Sequence, residues 1–459
     1  MQKIKKGRYR NIKLKKHTFD ENDENHKNEE TPTLQDTINL FTNALDFDPP
    51  VDKKLLTKID DEIRQTNPDK VVDARKSQQA KDQLAKIIAT TYASELSGDE
   101  KVKERQMQYI MAEIVEYGLI DLIIKANPKI TDIGWNGAQL TLETNDEKLF
   151  VEGTNLGFTA QYVERLIQKY ARANNKEFNG STPIMDGMIV HMRVNAVHEI
   201  IAPDGATFSL RITRPSLALN QNNFSAFAPT AVLELLEKIV QTNANIFIAG
   251  ETGTGKTELQ KLLISFIDAR EKIIMIEDVR ETHAKELFPD KDIYSWITNE
   301  FVSISRLIKA SLRNNPKWIN IAEVRGQEAY ELMQAILSGH KVIATLHAVD
   351  AFAIPTRFVG MCSMGYEINE ELVKGDFMRY GDIGIHIERL EIKDKVIRYL
   401  SELVEYTEAG TKIIYAQDYN AITKEFEHSY GELTPKFKKR MLRKGLEFDM
   451  AKLQANQAR

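Results

Sequence analysis

The residues with the clearest chemical potential form one short segment: Gly250, Glu251, Thr252, Gly253, Thr254, Gly255, Lys256 and Thr257. They fit the pattern G-x-x-x-x-G-K-[ST] at every fixed position. Glycines let backbone N–H groups converge on phosphate oxygens, and the following helix adds partial positive charge at its N-terminus. Lys256 is expected to reach the β- and γ-phosphates, and the Thr257 hydroxyl to ligate Mg²⁺. The segment predicts a P-loop that binds a nucleoside triphosphate.

Carboxylates follow the next two apolar runs. Glu277 and Asp278 come after KIIMI, and Glu323 comes after WINIA. Open α/β sheets place their ligand sites at the carboxyl ends of strands, and hydrolysis needs an acid near the metal and a group that orients water. These acids are therefore predicted to serve the P-loop. Arg325, beside Glu323, is either a surface charge or a sensor of the phosphates or of a neighbouring chain.

Two histidines flank the apolar run KVIATL, His340 before it and His347 after it. We expect them to lie near the γ-phosphate or at a subunit boundary. A zinc pair is not expected, because no cysteine or further carboxylate lies at ligand spacing from them. The histidines at 191, 283 and 386 are interpreted as structural.

These residues need a scaffold that brings strand ends together. Strand-type runs at 245–249, 272–276, 318–322, 341–345 and 382–390 alternate with helix-type segments such as 258–266 and 303–312. That alternation predicts an α/β domain over 230–430, with a parallel sheet covered by helices on both faces.

A smaller α+β domain is predicted over 118–219. Its strands are expected at 130–135, 140–143, 188–194 and 207–212, its helix at 162–171, and a tight turn at Asn136-Gly137. A helical region (51–117) precedes it and a polar linker (220–229) follows. The first 50 residues, a basic block and then an acidic one, predict a disordered tail, and 431–459 a basic C-terminal tail.

Composition narrows the class of protein. The 459 residues include 62 Lys and Arg against 67 Asp and Glu, a net charge of −5, so nothing global indicates a nucleic-acid partner. One cysteine excludes an intramolecular disulfide framework. No run of about 18 apolar residues predicts a membrane span, and the N-terminus lacks the apolar core of a secretory signal. We expect an intracellular, multidomain protein.

Four blocks together resemble the type II/type IV secretion ATPases, the motors of secretion, conjugation and type IV or Tad-type pilus systems. They are GETGTGKT from Gly250, IEDVRETH from Ile276, AEVRGQEA from Ala322 and SGHKVIATLHA from Ser338. The second resembles the family's Asp box, the third its atypical Walker B motif and the fourth its His box. The blocks NPKITDIGWNG from Asn127 and STPIMDGMIVHMRVNAV from Ser181 are similar to the family's N-terminal domain.

The resemblance implies a RecA-like ATPase domain, with ATP and Mg²⁺ as ligands, in a homohexameric ring. It makes Glu277 the general base and Glu323 the Walker B residue that holds Mg²⁺, and His340 and His347 the sensing histidines. Arg193 and Arg211 resemble arginines that the family brings against the phosphates; each is alternatively a surface salt bridge. The implied partner is a membrane platform or coupling protein, and the implied location is the cytoplasm, peripherally at the membrane.

Two other classes of function remain. Hexameric helicases share the P-loop core, but the charge of −5 and the lack of an aromatic-interleaved basic groove argue against a nucleic-acid motor. A scaffold that binds ATP without hydrolysis is disfavoured by the presence of both Glu277 and Glu323. Stimulation of the ATPase by single-stranded DNA would favour the first alternative, and absence of phosphate release the second.

Overall fold

The computed structural model describes residues 33–45, 51–74, 77–96, 98–144, 147–152, 158–189, 191–299, 301–392 and 395–455. Its helices are α1 Leu34–Leu45, α2 Lys53–Thr66, α3 Pro68–Ala74, α4 Gln78–Thr91, α5 Glu100–Ile114, α6 Leu119–Ala126, α7 Ala160–Ala173, α8 Thr230–Gln241, α9 Lys256–Ser265, α10 Ala284–Leu287, α11 Ile304–Ser311, α12 Glu328–Leu337, α13 Ile354–Cys362, α14 Glu370–Tyr380, α15 Pro435–Leu442 and α16 Ala451–Ala455. Its strands are β1 Asp132–Trp135, β2 Gln139–Glu143, β3 Lys148–Glu152, β4 Ile184–Ile189, β5 Met192–Val197, β6 Thr207–Ile212, β7 Ile246–Ala249, β8 Ile273–Glu277, β9 Ile293–Ile297, β10 Trp318–Val324, β11 Lys341–Leu346, β12 Ile383–Ile392, β13 Lys395–Thr407, β14 Gly410–Asn420 and β15 Glu425–Tyr430.

The N-terminal half is built on a six-stranded antiparallel sheet in the order β3-β2-β1-β6-β5-β4. The predicted turn at Asn136-Gly137 joins β1 to β2, and Gly137 has the positive φ of +103° that such a turn favours. Helices α1–α7 pack with this sheet around one apolar core that extends in sequence from Leu34 to Leu210. The helical region and the α+β domain are therefore one packed unit.

The C-terminal half is a nine-stranded sheet in the order β15-β14-β13-β12-β7-β11-β10-β8-β9. From β12 to β9 every neighbouring pair is parallel, as the strand–helix alternation predicts. Strands β13, β14 and β15 extend the sheet in antiparallel fashion, so the sheet as a whole is mixed.

Alternation along the central strand shows why helices cover both faces. In β7, Ile246 and Ile248 belong to one apolar cluster, whereas Phe247 and Ala249 belong to another. Successive side chains of a strand point to opposite faces, so a strand buried on both sides is continuously apolar.

Four predicted boundaries are corrected by the structure. The strand predicted at 188–194 is instead the end of β4, the turn of the β4–β5 hairpin and the start of β5, because an apolar run can cross a tight turn. Part of the predicted N-terminal tail is helix α1, whose Leu34 and Ile38 are buried; residues 1–32 and 46–50 lie outside the described residues. The predicted linker carries Phe224 and Phe227 in the core of the C-terminal half.

The predicted C-terminal tail is also packed. Phe437 and Met441 of α15 are buried in the same apolar cluster as Trp318, and Arg440 pairs with Asp382 at 2.7 Å. The basic side chains of α15 lie on its outer face and the apolar side chains of Phe437 and Met441 are buried, so the basic residues form one face of an amphipathic helix. Among the described residues, no helix is both long and apolar enough to cross a bilayer.

This packing predicts that Phe437→Ala destabilises the C-terminal half by about 3–5 kcal/mol, the usual loss for truncating a buried phenylalanine. Denaturant unfolding followed by fluorescence of the buried Trp318 measures the change. The exposed Lys436→Ala, one residue away, is the control and should shift the midpoint little. Equal midpoints for the two variants would contradict the packing of α15.

Candidate functional site

The glycine-rich loop joins the end of β7 to the start of α9. Gly250, Gly253 and Gly255 have φ angles of +150°, +77° and +101°. At Gly250 a Cβ would lie 2.5 Å from the Ile387 carbonyl oxygen, so glycine is required there for space as well as for conformation. The loop thus has the backbone that the motif predicts, and Gly255 is the N-cap of α9.

Lys256 is the first residue of α9 and its ammonium is held inside the loop. Its Nζ donates to the carbonyl oxygens of Gly250 at 2.9 Å and Glu251 at 2.8 Å. Burial lowers the pKa of Lys256 to about 8, and the negative charge of Glu323 opposes that change. Among the described residues, the hydrogen-bond partners of this buried cation are neutral carbonyls, a state that favours their exchange for an anionic phosphate.

Arg325 and His347 contact the carboxylate of Glu323 at the carboxyl end of β10. Its carboxylate accepts from Arg325 Nη2 at 2.7 Å and lies 2.9 Å from His347 Nε2. Arg325 Nη1 in turn lies 3.4 Å from Asp278 Oδ2. Burial alone would raise the pKa of Glu323, but Arg325, His347 and Lys256 bring it below its ordinary value, so the carboxylate is ionised.

Glu277, at the end of β8, is 1% exposed and fully hydrogen-bonded. One carboxylate oxygen accepts from the backbone N–H groups of Glu281 and Thr282 at 3.1 and 2.9 Å, and the other from the Thr282 hydroxyl at 2.9 Å. Burial raises its pKa above the ordinary value against these bonds. A high pKa suits a base, but the hydrogen bonds also organise the loop that follows β8.

The two predicted histidines lie at opposite ends of strand β11, and so on opposite sides of the sheet along the strand direction. Leu346 pairs with Ala249 in the parallel ladder, so His347 lies beside the glycine-rich loop. His340 precedes β11 at the other end, with Nδ1 2.9 Å from the Pro316 carbonyl oxygen. Six residues of strand, about 20 Å, separate the two. The prediction that His340 acts near the γ-phosphate of its own chain is therefore wrong; its alternative, a subunit boundary, stays a prediction.

Arg193 and Arg211 lie side by side as cross-strand partners on β5 and β6. Arg193 Nη1 is 3.5 Å from Glu281, and Arg211 Nε is 2.9 Å from Asp132. Each guanidinium is thus in a partly exposed ion pair, the alternative that the sequence left open. The backbone N–H of Glu281 donates to the Glu277 carboxylate. Arg193 of the N-terminal sheet therefore contacts the loop that begins at the candidate site.

Two residues that support the glycine-rich loop and helix α9 are not predicted from the sequence. Arg398 of β13 donates from Nε to the Gly253 carbonyl oxygen at 2.9 Å, although 145 residues separate them. Gln260 of α9 donates to the carbonyls of Ile321 and Ile343 at 2.8 and 3.0 Å and fixes the helix to the sheet. Only the antiparallel pairing of β12 with β13 brings Arg398 here, and no local motif signals it.

The donor set fits a hard divalent cation such as Mg²⁺. Glu323 supplies an ionised carboxylate, and Thr257, one residue after Lys256 at the start of α9, supplies a hydroxyl. Mg²⁺ prefers oxygen ligands of this kind together with substrate phosphates. Arg325 and His347 contact the Glu323 carboxylate, so a metal there would replace one of these contacts.

Comparison with known proteins finds a matching family model and several relatives. The family model described as type II/IV secretion system protein matches residues 180–374, which include the glycine-rich loop and both carboxylates. An uncharacterised protein of Bacillus anthracis is 40% identical over 417 residues, which cover 89% of this chain and 93% of that one. The type IV secretion system protein PtlH of Bordetella pertussis is 38% identical over 134 residues, 28% of this chain and 40% of PtlH.

Among solved structures, the ATPase DotB of Yersinia pseudotuberculosis aligns at a TM-score of 0.49 and 17% identity, over 64% of this chain and 79% of DotB. At that level of similarity the alignment carries no conclusion about activity.

The environment of Lys256 predicts a pH dependence of nucleotide binding. Bound phosphates would raise the pKa of this ammonium above the value of about 8 that burial gives it, so binding would take up a proton when the pH exceeds 8. Affinity for a non-hydrolysable ATP analogue should be constant below pH 8 and fall by up to about tenfold per pH unit above it. Calorimetric titration measures it. Lys256→Ala should bind more weakly without that slope, and parallel slopes for both proteins would contradict the assignment.

Proposed function

The chain belongs to the type II/IV secretion system protein family, and from this premise we propose that it hydrolyses ATP to drive transport through a secretion, conjugation or pilus system at the membrane. The proposal includes a RecA-like ATPase domain, a homohexameric ring and a membrane platform or coupling protein as partner. The kind of substrate moved is left open.

One observation carries the proposal. A buried lysine of a glycine-rich loop and an ionised glutamate at the carboxyl end of β10 each shift the pKa of the other. Lys256 and Glu323 therefore share one electrostatic site at the carboxyl edge of a parallel sheet. A cation for the phosphates beside an acid for a metal is the pair that nucleoside triphosphate hydrolysis requires.

ATP would be held by the backbone N–H groups of the glycine-rich loop and by Lys256, which would exchange its carbonyl partners for phosphate oxygens. Thr257 and Glu323 would hold Mg²⁺, which supplies charge neutralisation on the phosphates when bound. Arg398 would keep the loop in shape through its bond to Gly253. His347, against Glu323, would respond to changes at the phosphate end of the site.

Glu277 is proposed as the base that orients and polarises the attacking water. Its raised pKa favours proton acceptance near neutral pH. One oxygen is committed to two backbone N–H groups, so the oxygen bonded to the Thr282 hydroxyl is the one available by exchange. Access to water would therefore require a small movement of the Thr282 side chain.

Coupling to motion would come from the arginines of the N-terminal sheet. Arg193 binds Glu281, a carboxylate in the same loop that holds Glu277. A phosphate group is a stronger partner than a partly exposed carboxylate, so nucleotide would draw Arg193, with Arg211 beside it, towards the site. Hydrolysis would reverse the exchange and release the N-terminal half.

The first test is hydrolysis itself. Lys256→Ala should abolish steady-state phosphate release, because the buried cation is lost. Glu277→Gln should keep ATP binding but lower turnover by about 10²–10⁴-fold, the usual contribution of a general base. Glu271→Gln, two residues before β8 begins and so at the other end of the strand from Glu277, is the matched control and should turn over normally. Unchanged turnover in Lys256→Ala would contradict an ATPase at this site.

The second test concerns coupling. Arg193→Ala should leave the affinity for an ATP analogue nearly unchanged but reduce turnover by about 10²–10³-fold, as expected when a charge that stabilises the transferred phosphoryl group is lost. Arg172→Ala, an exposed arginine at the end of α7, removes the same charge from the same half of the chain and should have little effect. Equal turnover in the two variants would leave Arg193 as a surface salt bridge.

A further inference from the structure

Two histidines and a glutamate meet where the N-terminal sheet contacts the loop after β8. His191 lies in the turn between β4 and β5, His283 is the N-cap residue of α10, and Glu286 lies on α10. One ligand atom from each lies within 4.8 Å of the others. The imidazole rings are 4.7 Å apart at an angle of 73°. From the sequence alone, both histidines are interpreted as structural.

The hydrogen bonds leave ring nitrogens of this cluster without partners. The Thr213 hydroxyl donates to the His191 carbonyl oxygen at 3.1 Å, so it can accept from His283 Nε2, also at 3.1 Å. That tautomer leaves a lone pair on His283 Nδ1. Both His283 Nδ1 and His191 Nδ1 are buried and have no hydrogen-bond partner among the described residues. His283 as a whole is only 1% exposed.

The carboxylate of Glu286 completes the arrangement. Its Oε1 binds Arg280 at 2.5 Å, while Oε2 lies 3.8 Å from His283 Nδ1, too far for a hydrogen bond. In that tautomer the lone pair of the buried His283 Nδ1 would lie near a carboxylate oxygen without a hydrogen bond between the two atoms. Such an arrangement is unfavourable unless a positive charge lies between the two atoms.

We propose that His191, His283 and Glu286 bind one divalent cation of the Zn²⁺ class between the two halves of the chain. Two imidazole nitrogens and one carboxylate oxygen form a donor set suited to Zn²⁺, with a fourth position for water on the exposed side of Glu286. Mg²⁺ and Ca²⁺ prefer oxygen ligands alone. The Thr213 hydroxyl would be the outer partner that orients the His283 ring.

The cation would join parts that the proposed mechanism needs to separate. His191 belongs to the N-terminal sheet, whereas His283 follows directly on the turn whose backbone binds Glu277. Bound metal would hold that turn, and with it the Arg193–Glu281 contact, in the arrangement described here. Metal binding itself is independent of ATP hydrolysis and can be measured without nucleotide.

The test uses the purified full chain, stripped of metal with a chelator and titrated with Zn²⁺ by calorimetry. We expect one Zn²⁺ per chain at this site, unaffected by excess Mg²⁺, and the intense visible absorption of four-coordinate Co²⁺ when Co²⁺ replaces it. His191→Ala and Glu286→Gln, at accessible positions, should weaken Zn²⁺ binding at least about 10-fold, because losing even an outer partner of a metal ligand costs about 10–100-fold in affinity. His283→Ala should remove it.

His428→Ala, which removes a histidine far along the sheet on β15, is the control and should bind Zn²⁺ as the parent chain does. If His283→Ala fails to fold, His191→Ala and the Co²⁺ spectrum still decide the question. Equal Zn²⁺ affinity in the parent chain and His191→Ala, or a weak six-coordinate Co²⁺ spectrum, would overturn the proposal. Either result would leave the proposed ATPase site untouched.

Discussion

The parallel register of β8, β10, β11 and β7 is the constraint on which the site depends. Parallel strands place all their carboxyl ends at one edge of the sheet. Residues that lie up to about a hundred positions apart in the chain, from the glycine-rich loop to His347, therefore meet there without any long-range motif. The same geometry sends His340, only seven positions from His347, to the opposite edge.

Charge balance at that edge follows from burial. Lys256 is desolvated, so its positive charge is costly, and Glu323 nearby reduces the cost. Arg325 and His347 in turn keep Glu323 ionised although it is partly buried. Each group is stabilised by another that could bind phosphate or metal instead. A site of this kind is organised before ligand binding and can exchange partners with little rearrangement of the backbone.

The two halves of the chain meet through polar groups rather than through a shared apolar core. The N-terminal core ends at Leu210 and the C-terminal clusters begin at Phe224. Between them, Arg193 meets Glu281, and Thr213 links His191 to His283. Polar contacts of this type break at lower cost than a buried apolar interface, which is consistent with relative motion of the halves.

Local chemistry made much of the protein predictable from its residues alone. The glycine-rich loop, the tight turn at Gly137, five of the six parallel strands and the strand-end positions of Glu277 and Glu323 all depend on short patterns, such as turn glycines, apolar runs and the position after a strand. The sixth parallel strand, β9, is not predicted from the sequence. The strand predicted across the β4–β5 turn failed because an apolar run does not show where it reverses. Strands β13–β15 and the burial of Phe437 also went unrecognised, since half-buried edge strands and amphipathic ends have weak local signals.

Only the tertiary structure decided which residues meet. The β12–β13 hairpin places Arg398 against Gly253, and Arg193 of the N-terminal sheet contacts Glu281 of the C-terminal half. His191 and His283 lie side by side although 92 positions separate them in the sequence. Sequence spacing constrains such contacts only within one helix, strand or turn. Between elements, the distance between two residues is set by strand register and by how the sheets pack. The residue types therefore determined which chemistry is available, and the fold determined which residues contact one another.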